Sequence, residues 1–370
     1  MNIQSLSELI PDCRSDKNRR FSADTLVFIS LVSVLCGAET WGEIVYFGKS
    51  HYEYFKKRIP SLEGIPCEDT FNRFFSVLDT GWFEESFRVW VDEICERIPG
   101  VVAIDGKAVC RDKNRRGMKS KLYMVSAWAV ANGLCLGQEK VSGKSNEITA
   151  IPQLIHTLDL KGCIVTIDAA GCQKSISKAI INAQAEYILC VKDNQKKLRE
   201  TIAFNLSEDT RLYLGNGKRY TQESRGHGRY ELRECVTVDF SGMAECFLPG
   251  WAGVRTLAKI TCTRQQNAEE PTRQTRYYIS SLCNDPKLIL QSVRSHWQVE
   301  NNLHWQLDVS FREDYTRKTG NAAINFSTMS KVALMLLKQF NMKMGIAGKR
   351  KACGWDEKLR DEIIGIQFIK

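Results

Sequence analysis

Residues 164–173 read IVTIDAAGCQ: a β-branched run ends on one carboxylate, Asp168, and the smallest side chains follow it. A carboxylate at the end of such a run is costly to bury unless it is paired, hydrogen-bonded or on a metal. As a turn residue, Asp168 closes the step from strand to helix. As a ligand, it needs partners elsewhere in the chain. VVAIDGKAV at 101–109 has the same construction, an apolar run and then Asp105 before a glycine.

Around these two runs the chain reads as strands in VVAIDGKAV, YMVSAWAVANG and LCLGQEKVSG, then a helix in NEITAIPQLIHTL. Next come the strand GCIVTIDAA, the helix QKSISKAIINAQA and the strand EYILCVKDN. Adjacent strands pair through hairpins, whereas strands separated by helices need parallel crossovers. The order βββαβαβ therefore predicts an α/β fold, a mixed sheet with flanking helices. If the first and fourth strands lie side by side, Asp105 and Asp168 approach each other closely. Two such carboxylates cannot both stay ionised without compensation. A divalent cation supplies it, and oxygen-only ligation with open positions suits Mg²⁺ or Mn²⁺ better than zinc.

A third ligand is expected from a flanking helix, and HWQVENNLHWQLD offers Glu300. His296, Glu300, His304 and Asp308 recur every four residues, which keeps one polar stripe along a helix face beside Trp297 and Trp305. That stripe reads either as the wall of a site or as a solvated face beside a Trp-anchored core. The HxxxExxxH spacing is not the HExxH of zinc proteases.

The remaining segments frame this core. Residues 1–98 read as a helical N-terminal region, with SADTLVFISLVSVLCG stopping at Gly37, and AETWGEIVYFGKSHYEYFKKRIP, CEDTFNRFFSVL and TGWFEESFRVWVDEICERI following. Short helices joined by Gly turns suit docking on DNA ends as well as simple packing. Residues 99–206 hold the first part of the mixed sheet, and 207–280 a β-rich insertion. Helices resume over 281–345, and 346–370 read as a basic C-terminal tail. No internal repeat or low-complexity segment is visible.

A chain of 370 residues with 43% hydrophobic content can bury a sizeable core in two or three domains. Its net charge of +9 permits an anionic partner such as nucleic acid. None of the 14 cysteines forms a CxxC pair, and several sit singly in apolar runs, so reduced buried thiols and a cytoplasmic location are expected. The N-terminus lacks the basic-then-apolar order of a signal peptide. LVFISLVSVLCGA, 13 residues long, is too short for a bilayer span, so no membrane partner is expected.

The ordered set VVAIDGK, TIDAAGCQ and VRSHWQVENNLHWQLDVSFRED resembles the DDE-type transposases of bacterial insertion sequences, specifically the H-repeat-associated group. DTLVFISLVSVLCGAETWGEIVYFGK, GIPCEDTFNRFF and RGHGRYELR are similar to that group too, so the resemblance covers most of the chain. It implies an RNase H-like catalytic fold with a β-strand insertion before the last catalytic helix. It also implies that Asp105, Asp168 and Glu300 are the catalytic, metal-binding triad. One departure stands out: related transposases carry an Arg four residues before the glutamate and a Lys seven after it, where this chain has His296 and Leu307. His296, Asn301 and His304 are the candidates for the phosphate-facing role, and Asp308, Glu313 and Asp314 are rivals for the third ligand.

The implied chemistry is in-line phosphodiester displacement assisted by two Mg²⁺ (or Mn²⁺) ions about 3.5–4 Å apart, giving cleavage and strand transfer at insertion-sequence ends. Ala169, Ala170 and Gly171 read as clearance for a DNA strand. The turn RDKNRRGMKSK at 111–121 carries six basic residues against one acidic and follows the Asp105 strand, so it is expected at the rim of the catalytic face. Lys107, Arg111, Lys113, Arg115, Arg116, Lys119, Lys121, Lys192 and Arg229 are the candidate DNA contacts, with KRK at 349–351 a further cluster. The implied partner is double-stranded DNA with terminal inverted repeats, bound by a homo-oligomer that is nucleoid-associated when on DNA. The alternatives are a catalytically silent DNA-binding remnant and a purely hydrolytic RNase H-like nuclease.

Overall fold

Val101–Lys113 (β1) pairs antiparallel with Lys119–Ala129 (β2), and β2 pairs antiparallel with Leu134–Val141 (β3). On its other edge β1 pairs parallel with Ile164–Ile167 (β4), and β4 pairs parallel with Glu186–Val191 (β5). The helices Glu147–Thr157 and Lys174–Asn182 carry the chain through the two crossovers, as parallel strands require. The computed structural model describes residues 3–15, 17, 19–94, 100–113, 119–141, 147–207, 216–226, 228–266 and 270–365.

The later strands are Lys218–Gly226 (β6), Arg229–Asp239 (β7), Thr256–Gln266 (β8) and Thr272–Ser280 (β9). They are not a separate layer: β9 pairs antiparallel with β5, and the sheet runs β3-β2-β1-β4-β5-β9-β8-β7-β6. The inserted strands thus cover the edge that β5 would otherwise leave open. β5 shows why EYILCV has no polar alternation. Tyr187, Leu189 and Val191 face the main core, while Ile188 and Cys190 face a second core with Ile289 and Leu290 of the helix Pro286–Val299. A strand covered on both faces reads as a continuous apolar run.

N-terminal to the sheet lie the helices Ile3–Glu8, Ala23–Leu35, Trp41–Ser50, Tyr52–Arg58, Glu68–Val77 and Thr80–Ile94. The first long one ends where expected, with Gly37 in the left-handed region at φ +111°. The stretch expected as one helix from Ala38 onward instead breaks at His51 and restarts. The helix Gly320–Gln339 lies between this bundle and the sheet, packing on Ala23–Leu35, Glu68–Val77 and Thr80–Ile94 and touching β1 and β3. It is buried along nearly its whole length. No helix among the described residues is long and apolar enough to cross a membrane.

The basic tail reading needs correction. Ile346–Trp355 and Glu357–Ile364 are helices, and Lys349, Arg350 and Arg360 are buried. Arg350 donates to the Val34 carbonyl at 2.8 Å and to the carbonyls of Ala38 and Ser310, and Lys349 donates to the Leu337 carbonyl at 2.8 Å. These cations satisfy exposed helix ends inside the protein, so Lys349 and Arg350 do not form a DNA-facing cluster.

Candidate active site

The β1/β4 register runs in parallel from Val101↔Ile164 to Ile104↔Ile167, so Asp105 and Asp168 are the next residues on two neighbouring strands. The backbone N–H of Gly106 donates to Asp105 Oδ1 at 2.9 Å. Asp168 Oδ1 accepts from the backbone N–H groups of Ala170 at 3.0 Å and Gly171 at 3.4 Å. One oxygen of Asp168 therefore does close the turn out of β4, as the turn-residue reading requires. The same turn is clamped by the loop after β5, where Asn194 donates to the Ala169 carbonyl at 2.7 Å and Gln195 to the Cys172 carbonyl at 3.0 Å. Directly after the candidate contact Lys192, the Asn194 and Gln195 amides thus brace the Asp168 turn.

The small residues after Asp168 also change meaning. Ala169 is buried, and a Cβ on Gly171 would overlap the Ile167 side chain, so both serve interior packing; Ala170 alone is exposed. The expectation that all three clear a path for DNA is corrected accordingly.

Opposite the strand ends, the helix Pro286–Val299 passes into a π turn at Glu300–His304 and then the short helix Trp305–Val309. In a regular α-helix a four-residue step overshoots one turn by about 40°. The wider π turn takes up part of that drift, and π turns are frequent at functional sites. The four-residue stripe consequently stays on the site throughout. His296 Nδ1 lies 3.1 Å from Thr166 Oγ1 on β4, and Glu300 lines a cavity of about 140 Å³ with Asp168, Lys192, Arg276 and Trp297. His304 Nδ1 is 3.5 Å from Asp105 Oδ2, and Asp308 accepts from Lys107.

The electrostatics favour a cation. Burial, then the charge of Asp168, with smaller contributions from Glu300 and Glu147, pushes the Asp105 carboxyl up to about 7. Glu147, at the start of its helix, is itself raised by burial and by Asp168. It is a fourth carboxylate that strand-end reasoning missed, because its own segment has no marked pattern. A Cβ on Gly106 would overlap the Glu147 carboxylate, so the glycine after Asp105 admits this approach. Burial, with Lys107 and Lys331 adding, lowers His304 to about 3, and burial lowers His296. Both imidazoles are neutral and largely shielded, so neither supplies a positive charge to a phosphate.

The donor set of Asp105, Asp168 and Glu300 is all oxygen and mutually repulsive, which fits a hard divalent cation. Asp105 and Asp168 are neighbours, whereas Glu300 stands exposed across the cavity. Among the described residues no group of three His, Cys, Asp or Glu side chains is gathered tightly enough to hold a metal ion.

Several expected DNA contacts are redistributed. Lys107 Nζ donates to Glu313 at 2.6 Å and to Asp308, and its side chain is only 12% exposed, so it is an internal ion-pair partner rather than a phosphate contact. The same pairing engages two of the rivals to Glu300. β1 runs on past Asp105 to Lys113, roughly 25 Å along the strand at ~3.3 Å per residue, and residues 114–118 of the basic turn lie outside the described residues. Arg115 and Arg116 lie outside the described residues, as do the side chains of Arg111, Lys113, Lys119 and Lys121. Lys192 is exposed at the cavity, and Arg229 and Asn301 are exposed along a neighbouring groove.

Comparison with known proteins bears on this geometry. Residues 96–337 match the family described as Transposase DDE domain, and residues 3–91 match one described as DDE_Tnp_1-associated. "Putative transposase YncI" of Escherichia coli O157:H7 is 36% identical over 373 residues, covering 98% of this chain and 95% of that protein. "H repeat-associated putative transposase YhhI" of Escherichia coli (strain K12) is 34% identical over 364 residues, covering 95% and 94%. Among solved structures, a piggyBac transposase synaptic complex with hairpin DNA aligns with a TM-score of 0.43 at 11% identity, over 98% of this chain and 77% of that one.

Proposed function

Because the chain belongs to the DDE transposase family, whose sheet order and flanking helices give it an RNase H-like fold, we propose that Asp105, Asp168 and Glu300 are its catalytic carboxylates. In this reading the chain cleaves insertion-sequence ends and joins them to target DNA. The observation that carries the assignment is the parallel pairing of β1 with β4, which makes Asp105 and Asp168 neighbours.

Asp105 and Asp168 would hold the ions jointly, and Glu300 would close the set from the helical side. When bound there, Mg²⁺ or Mn²⁺, as two ions, would activate the attacking water or 3′-hydroxyl and stabilise the leaving oxygen. The turn hydrogen bonds leave Asp168 oriented before any ligand arrives. His304, whose Nδ1 lies 3.5 Å from Asp105 Oδ2, would steady that carboxylate, and His296 fixes the helix against β4 through Thr166. Lys192, exposed at the cavity mouth, would meet the DNA backbone. The partner is double-stranded DNA with terminal inverted repeats, engaged by a homo-oligomer on paired ends.

The test is incubation of the full chain with supercoiled DNA carrying the candidate terminal repeats, in Mg²⁺ or EDTA, beside Asp105→Asn, Asp168→Asn and Glu300→Gln. Mg²⁺-dependent cleavage and joining, lost in all three variants with binding retained, is the expected result. Cleavage without joining would indicate a hydrolytic nuclease, and binding without cleavage a silent remnant. Normal nicking by Asp168→Asn would remove the assignment.

A further inference from the structure

Glu300 and His304 are the two ends of the π turn, and they stand at different strand-end carboxylates. Glu300 lines the cavity with Asp168, whereas His304 Nδ1 lies 3.5 Å from Asp105 Oδ2. The two histidines of the stripe also differ in how their rings are held. His296 Nδ1 is 3.1 Å from Thr166 Oγ1, a hydrogen bond that accounts for its place on the helix. His304 has no such tie among the described residues. Its Nε2 is buried without a hydrogen-bond partner, and its Nδ1 contact exceeds the ~2.7–3.2 Å of a hydrogen bond. The side chain is only 13% exposed. A ring so buried, with neither nitrogen in a bond of ordinary length, needs a physical reason, and an ion supplies one.

The separation of Nδ1 from Oδ2 is itself informative. Two donors each ~2.1 Å from one ion stand about 3.0 Å apart at an octahedral right angle and about 3.4 Å apart at a tetrahedral one. At 3.5 Å the His304 and Asp105 atoms are thus spaced as ligands of a common ion, with only a small closure needed. A histidine that ligates through Nδ1 carries its proton on Nε2, and ligating histidines characteristically turn that N–H to a carboxylate. Glu313 acts on this ring by its charge, and its Oε1 is likewise buried without a hydrogen-bond partner. We propose that His304 Nδ1 is a ligand of the ion held by Asp105, adding one nitrogen to the oxygen set. Imidazole suits first-row transition ions better than Mg²⁺, so the added nitrogen turns the site's preference towards Mn²⁺. The inference rests on the reading of Asp105 as a metal-binding carboxylate and adds a donor that the three carboxylates lack.

The test uses the full chain without DNA and Mn²⁺ as the probe. Pulsed electron paramagnetic resonance is expected to show a ¹⁴N coupling on bound Mn²⁺, replaced by a ¹⁵N coupling when histidine alone is labelled with ¹⁵N. This wild-type measurement stands whether or not a variant folds. His304→Gln should abolish the coupling and His296→Gln should retain it, with folding checked by circular dichroism. Loss of even an outer-shell partner costs ~10–100-fold in metal affinity, so His304→Gln should weaken Mn²⁺ by at least ~ten-fold in calorimetric titration, and Mg²⁺ by less. Bound Mn²⁺ without nitrogen coupling in the wild type, or a coupling that survives His304→Gln, would overturn the ligand and leave the carboxylate reading standing. No Mn²⁺ bound by the wild type, or binding that Asp105→Asn leaves unchanged, would instead remove the carboxylate reading and this inference with it.

Discussion

Lys107 Nζ donates to Glu313 Oε2 at 2.6 Å, in an ion pair whose acid is 5% exposed, only two residues along the strand from Asp105. Burial alone would raise the Glu313 carboxyl, but Lys107 and Lys331 together hold it below its ordinary value. Lys331 in turn donates to Gln138 of β3 and lies 3.3 Å from Ser327 Oγ. Gln138 and Thr328 both donate to Glu84 of the helix Thr80–Ile94, the latter at 2.7 Å. A buried polar chain therefore ties the N-terminal bundle to the strand that carries Asp105.

Breaking one member should be costly, because it strands the others. Glu313→Gln removes the acid from two buried cations and is expected to cost about 3 kcal/mol, read from urea unfolding at pH 7. Lys107→Met with Glu313→Leu should recover only part of that loss, since the apolar pair needs no charge partner while the buried Lys331 stays without its acid. A Glu313→Gln cost within about 0.5 kcal/mol of wild type would mean that this pair counts for no more than a surface one.

The ion pair also separates the candidates for the third carboxylate. Glu300→Gln is expected to lower Mg²⁺-dependent cleavage by at least ~100-fold, about 2.7 kcal/mol of barrier. Asp308→Asn leaves Lys107 with Glu313 and should change cleavage less than about ten-fold. The reverse ranking in a nicking assay would transfer the role to Asp308.

The Asp105 carboxyl gives the apo protein a characteristic pH response. Its folded value of about 7 lies above the unfolded ~3.9, so between those values the folded chain holds more protons than the unfolded one. Stability in EDTA should then fall as pH rises from 5 to 7.5. Asp105→Asn should flatten the part of the fall nearest pH 7, and Mg²⁺ should raise Tm more at pH 8 than at pH 5.5, where protons compete with it. A Tm that rises over this window in wild type but not in Asp105→Asn would contradict the sign.

The strand ends were legible because burial on both faces leaves a plain trace: an uninterrupted apolar run with a single Asp after it. The stripe from His296 to Asp308 was legible as a spacing, but the π turn that keeps it on the site depends on backbone hydrogen bonds with no composition of their own. Charge runs were the poorest guide. Lys107, Lys349 and Arg350 looked like surface cations and are internal partners: Lys107 and Arg350 meet segments hundreds of residues away, and Lys349 folds back on the end of the preceding helix. The inserted strands were visible as strands, yet their junction with β5 was hidden, since an edge pairing depends on backbone groups that every residue has.

Gly106 and Glu147 supply a last, separable prediction. In a strand, replacing glycine by alanine ordinarily helps, because it removes conformational freedom from the unfolded chain. Here the added methyl meets the Glu147 carboxylate, so Gly106→Ala should destabilise the wild type while being neutral or favourable in Glu147→Ala. The double-mutant cycle should return a coupling of about 1 kcal/mol, within the usual range for residues in contact. Glu147→Ala alone should retain cleavage, since Glu147 acts on Asp105 through its charge, and should move the pH response of Asp105 to lower pH. Zero coupling in the cycle would mean that the carboxylate swings aside at no cost, and a complete loss of cleavage in Glu147→Ala would make it a ligand in its own right.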